Sequence, residues 1–126
     1  NRGFILLNNV MVINVYGIKN CNTMKKTFNF LESEGIEYVF NDYKKTNPSE
    51  EFLQRVIEKK GLSSIINKKG TTYKKASDEE KQQLEEIDTA IPLLIQKSSM
   101  IKRPILQSEP GQFIIGYDED QIRAMK

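Results

Sequence analysis

The chain has 126 residues, with 19 basic against 17 acidic side chains, one cysteine and no histidine. A formal charge of +2 gives no global case for nucleic acid. The single cysteine excludes an intramolecular disulfide, and without histidine there is no Cys-His or Ser-His-Asp catalysis and no histidine or multi-thiolate zinc site.

A hydrophobic content of 38% over this length is that of one domain with a real core. No apolar run approaches the roughly 18 residues that a membrane helix needs, and nothing in the chain requires an oxidising compartment. The expected location is the cytoplasm. Phe4-Ile5-Leu6-Leu7 is too short for a signal-peptide core. Met11 stands just before the first convincing strand, so residues 1–10 read as a tag remnant or an extended N-terminus and 11–126 as a single domain.

In chain order, Val12 to Tyr16 reads as a short strand and Gly17-Ile18-Lys19-Asn20 as a turn. Met24, Thr27, Phe28 and Leu31 recur at helical spacing, and Gly35 is a fitting stop. Ile36, Tyr38 and Phe40 alternate with Glu37, Val39 and Asn41 as a second strand ending near Asp42, which completes a βαβ unit with parallel strands. Asn47-Pro48, with Glu50 behind it, predicts a capped helix carrying Phe52, Leu53, Val56 and Ile57 on one face and stopping at Gly61. A short element over Leu62 to Asn67 follows, then a turn-rich break at Gly70 to Tyr73. Ser77-Asp78-Glu79-Glu80 is a capping box opening a polar helix through Leu84, and a further helix over about Asp88 to Lys97 is expected to hold Pro92 in its first turn. Ile101 to Leu106 reads as extended, Glu109-Pro110-Gly111 as a turn and Gln112 to Gly116 as its hairpin partner, before a closing helix capped near Asp118. The order is βαβ, a helical block over about 47–97, then ββα.

Cys21 falls at the N-terminus of the first helix, where unpaired N–H groups and the helix dipole favour an anion. Thiols so placed, with cations such as Lys19, Lys25 and Lys26 nearby, have pKa values lowered from about 8.5 into the range of about 3.5–7.5. Asn20, Asn22 and Thr23 offer further N–H or hydroxyl donors to the thiolate. The competing reading is a small buried hydrophobe. A strand-to-helix turn lies at a sheet edge, so partial exposure is expected.

Tyr16 to Lys26, Asn67 to Lys74 and Ile101 to Leu106, in that order and in those topological places, resemble the arsenate reductase (ArsC) and Spx-related family. The resemblance covers essentially residues 11–125, and its middle segment looks most like the family's uncharacterised branch assigned to glutathione-dependent reduction. It implies a thioredoxin-like, glutaredoxin-type α/β fold: a four-stranded mixed sheet in the order second, first, third, fourth, with the third strand antiparallel to the first. By the same resemblance Cys21 matches the nucleophile and Arg103 an oxyanion-contacting arginine before a cis-proline, here Pro104. Lys25 matches a basic position of the active-site loop.

The family's second oxyanion arginine falls at Asn67, and a third has no counterpart around Gly116-Tyr117, which argues against arsenate as substrate because asparagine is neither charged nor forked. The Spx regulators carry Cys-x-x-Cys, whereas Met24 stands at the partner position here. The resulting expectation is a monothiol reductase with no permanently bound cofactor, no metal and no membrane partner. Cys21 would act with glutathione or another low-molecular-weight thiol as co-substrate, the site comprising Asn22, Thr23, Lys25, Arg103 and Pro104. The chain is expected to be a monomer. The alternatives are a regulator that binds RNA polymerase, suggested by the likeness of Tyr117 to Arg123 to the Spx C-terminal segment, and an arsenate reductase.

Overall fold

The valine- and isoleucine-rich stretch Val10 to Val15 supplies the central strand of a sheet in the computed structural model, which describes residues 5–7 and 10–125. Along the chain lie β1 (Ile5–Leu7), β2 (Val10–Gly17), α1 (Asn22–Ser33), β3 (Glu37–Asp42), α2 (Glu50–Lys60), α3 (Leu62–Ile65), α4 (Thr71–Lys74), α5 (Asp78–Gln83), α6 (Ile87–Gln96), β4 (Ile105–Glu109), β5 (Gln112–Ile115) and α7 (Glu119–Arg123). They divide into two compact units, one of residues 1–42 with 103–126 and one of residues 43–102.

In the first unit β3 runs parallel to β2, from Val12↔Glu37 to Gly17↔Asp42. On the other edge β4 is antiparallel, from Asn14↔Gln107 to Tyr16↔Ile105, and β5 is antiparallel to β4. The four expected strands thus form a mixed sheet in the expected order and directions, the thioredoxin-like arrangement. A further strand is added to them. β1 pairs antiparallel with Val10–Val12, and because β3 already holds Val12 on one edge, β1 shares the β4 edge. The expectation for residues 1–10 falls in part on positions 1–4, 8 and 9, outside the described residues.

Alternation along β2 sends Ile13 and Val15 to one face, where they bury with Met24, Phe30 and Leu31 of α1, Leu106, Ile114 and Ile122. Cys21 and Phe28 pack against this cluster from its margin. α1 ends in a Schellman closure: Gly35 takes φ +70, Ile36 N–H donates to Leu31 O at 2.9 Å and Gly35 N–H to Glu32 O at 3.2 Å. At the chain's end the Asp118 carboxylate accepts from Gln121 N–H at 3.1 Å and caps α7 as expected.

The second unit corrects several local expectations. α2 is capped by Ser49, whose hydroxyl accepts from Phe52 N–H at 3.0 Å, and not by Asn47. Pro48 is buried one residue outside the helix, and the shift leaves Glu50 and Glu51 in the first turn beside the positive dipole end. The Phe52, Leu53, Val56 and Ile57 face is buried as expected. The expected break at Gly70 to Tyr73 is instead occupied by the single helical turn α4, begun by Lys74 N–H donating to Gly70 O at 3.1 Å. Ser77 and Glu80 do form the expected capping box. Pro92 lies inside α6 rather than in its first turn, because the helix starts at Ile87 with Glu86 as cap. The proline is exposed, and so is Asp88, whose carbonyl is the one that a proline at position 92 cannot pair with. Ile101 does not continue into β4: it bridges Ile66, and β4 begins only at Ile105, after a proline that has no N–H to give. Among the described residues no helix is long and apolar enough to cross a membrane.

Candidate functional site

The turn Gly17 to Asn20 delivers the chain from the end of β2 to Cys21, which is the N-cap of α1 with extended backbone at φ −158, ψ 134. Its carbonyl accepts the first helical bond, from Lys25 N–H at 3.1 Å, while its own N–H donates to Lys19 O at 3.0 Å. The side chain is therefore left at the mouth of a twelve-residue helix whose first turn holds no acidic residue to cancel the dipole. Cys21 is half-buried, with its inner side against the core cluster.

Partial burial by itself pushes this thiol up. It is outweighed by the N–H of Met24, then by a hydrogen bond from the Arg103 side chain, the N–H of Thr23 and the positive charge of Arg103, and the thiol pKa comes out below its ordinary value. The Cys21 side chain makes no capping hydrogen bond of the kind an oxygen would. Of the donors foreseen from sequence, Thr23 is among the groups that act on the sulfur, and Met24 joins it. Both act through backbone groups, while Asn20 and Asn22 are exposed. Lys25 is exposed in the first turn of α1, and the cation that acts on the sulfur is Arg103.

Arg103 reaches the thiol through sheet register. Tyr16 lies opposite Ile105 in the antiparallel β2–β4 pair, so the residues before Ile105 run alongside the turn leading from Gly17 to Cys21. Arg103 is half-buried there. Pro104, buried, joins it through a cis peptide bond, and the Pro104 carbonyl accepts from Gly116 N–H at 2.7 Å. Asn67, at the family's arginine position, lies in the second unit, where its N–H donates to Met100 O at 2.7 Å.

Two residues of this region escape a sequence reading. Met24 reads there only as the position without a second cysteine, yet its amide stands first among the groups that lower the thiol, a role that its place three residues past the N-cap could have signalled. Gly17 reads as a turn residue, although it closes β2 against Met24 and Arg103. What the arrangement can do is hold a sulfur anion, or an acceptor bonded to that sulfur, between two amides and a guanidinium.

The sequence profile of the ArsC family matches residues 16–125. Among solved structures, the YffB protein superposes with a TM-score of 0.83 at 35% identity, over 90% of this chain and 97% of its own. An arsenate reductase (ArsC) related protein from Brucella melitensis gives 0.71 at 36% identity, over 90% and 93%. The regulatory protein MgsR of Bacillus subtilis is 24% identical over 85% of this chain and 84% of its own length.

Proposed function

The chain belongs to the ArsC family, and on that premise we propose that it is a thiol-dependent reductase using Cys21 as nucleophile, with glutathione or a similar low-molecular-weight thiol as co-substrate. The observation that carries this reading is the lowered Cys21 thiol, held by the Met24 and Thr23 amides and by Arg103 in a chain with no second cysteine.

The Cys21 thiolate attacks one sulfur of a disulfide; a Cys21–sulfur bond forms, the disulfide bond breaks, and the other half leaves as a thiolate that takes up a proton. With no second cysteine to resolve it, the mixed disulfide is attacked at its outer sulfur by an external thiolate, and Cys21 leaves with the electron pair. The groups that lower the Cys21 thiol stabilise it again as this leaving group. These two steps consume one external thiol and leave the first half of the disulfide bonded to it. A second external thiolate attacks the external thiol's own sulfur in that product and releases this half as a thiol. That completes the transfer of two electrons from two external thiols, which leave as their disulfide. Arg103, with Lys25 near the mouth, suits the carboxylates of glutathione. Reduction of arsenate is a weaker expectation, since one oxyanion arginine of the family's three is matched here. This chemistry belongs in a reducing compartment, and we place the protein in the cytoplasm.

The test is glutathione-coupled reduction of a small dialkyl disulfide, with arsenate run in parallel. Turnover of the disulfide that is lost in Cys21→Ser is the expected result; equal turnover by that variant would move the chemistry elsewhere. The likeness to MgsR, a regulatory protein, favours one second reading, in which the chain binds RNA polymerase. In that case Cys21→Ser would capture polymerase as well as the parent does, and no glutathione-dependent turnover would be found.

A further inference from the structure

We infer that Gly17 is a positioning residue of the Cys21 site: the space left by its missing side chain lets Met24 and Arg103 close on the end of β2, and so holds their donors around the sulfur. The inference rests on the reading of Cys21 as the nucleophile.

A Cβ at Gly17 would lie 2.8 Å from Met24 Sδ, 3.0 Å from Met24 Cε and 3.3 Å from Arg103 Cβ. These are the two residues whose amide and side chain act on Cys21. The requirement is for space and not for backbone freedom, because among the described residues the glycines with positive φ are Gly35, Gly61, Gly111 and Gly116. None of the three parts yields easily. Gly17 is buried and tied into the parallel register opposite Asp42. Met24 is 0% exposed, so its flexible thioether can move only into other core atoms. The Arg103 Cβ is fixed to its backbone. A methyl group at position 17 therefore pushes Met24 along the first turn of α1 and Arg103 outward, and both movements take donors away from the sulfur.

The experiment is alkylation of Cys21 by iodoacetamide across pH in the 126-residue chain. Gly17→Ala is expected to move the midpoint upward, toward that of an ordinary thiol, and to slow alkylation at neutral pH several-fold; each unit of upward shift lowers the thiolate fraction about tenfold. Leu31→Ala, a core truncation in the same helix, should lose stability without moving the midpoint, which separates positioning from general loosening. Gly17→Ala combined with Met24→Ala, which deletes the two closest atoms, should bring the profile back toward that of the parent. A folded Gly17→Ala protein with the parent's profile overturns the inference. If Gly17→Ala does not fold, the double variant must recover both the fold and the low midpoint, and failure to do so overturns it equally. Glutathione takes no part in the assay, so this outcome is separate from that of the reductase test.

Discussion

Arg103 donates a hydrogen bond to the Cys21 thiol from the segment that leads into β4, so the charge that activates the sulfur comes from the far side of the helical insertion in sequence. On the proposed reading the same guanidinium also meets a carboxylate of the incoming thiol. Arg103→Ala is expected to raise the alkylation midpoint of Cys21 and to weaken glutathione adduct formation by about tenfold, the lower end of a charge-assisted hydrogen bond because the site is only half-buried. Arg103→Lys should recover part of this, since an ammonium lacks the guanidinium fork. Mass spectrometry of the adduct against glutathione concentration measures both.

The thiol also links folding to pH. Its native pKa is lowered, so in the window between that value and the unfolded value of about 8.5 the unfolded chain holds more protons than the folded one. Stability should rise with pH through this window and be lost as pH falls through the native pKa. Denaturant titrations at several pH values should find this slope in the parent and not in Cys21→Ser. The effect is expected to be small because the group is half-exposed.

Core truncation should act on stability alone. Leu31 is fully buried on the inner face of α1, against Ile13 and its neighbours of the sheet. Leu31→Ala should cost about 2–5 kcal/mol, read from equilibrium unfolding, with the disulfide reductase rate at low temperature retained.

In the second unit, Ser49→Ala should cost about 1 kcal/mol by removing the bond to Phe52 N–H, whereas Asn47→Ala should be close to neutral. Equal losses from the two would return the cap of α2 to Asn47.

That last pair illustrates where sequence reading runs out. Two good capping residues stand on either side of Pro48, and either fits the pattern; only the position of the buried face of α2 selects Ser49. Pro92 lies deeper in its helix than the local pattern suggests for a related reason, since the start of α6 depends on which weak cap is used. Cys21, Gly35, Ser77 and Asp118 were legible because a cap or a positive-φ stop is a local property of a few residues. Arg103 and Pro104 were not accessible to local reasoning at all. Their nearness to Cys21 is a consequence of β2–β4 register, and only the likeness to a family pointed to them. Gly17 had no local signal beyond a turn, because its close approach to Met24 and Arg103 exists only once the sheet and α1 are assembled.

The most direct test of the account is the alkylation rate of the parent protein against pH, in which the single cysteine makes every event a report on Cys21. The account predicts a single transition with its midpoint below the ordinary thiol value of about 8.5 and rapid reaction at neutral pH. A midpoint at or above that value would contradict it, since neither the α1 N-terminus nor Arg103 would then be acting on the sulfur.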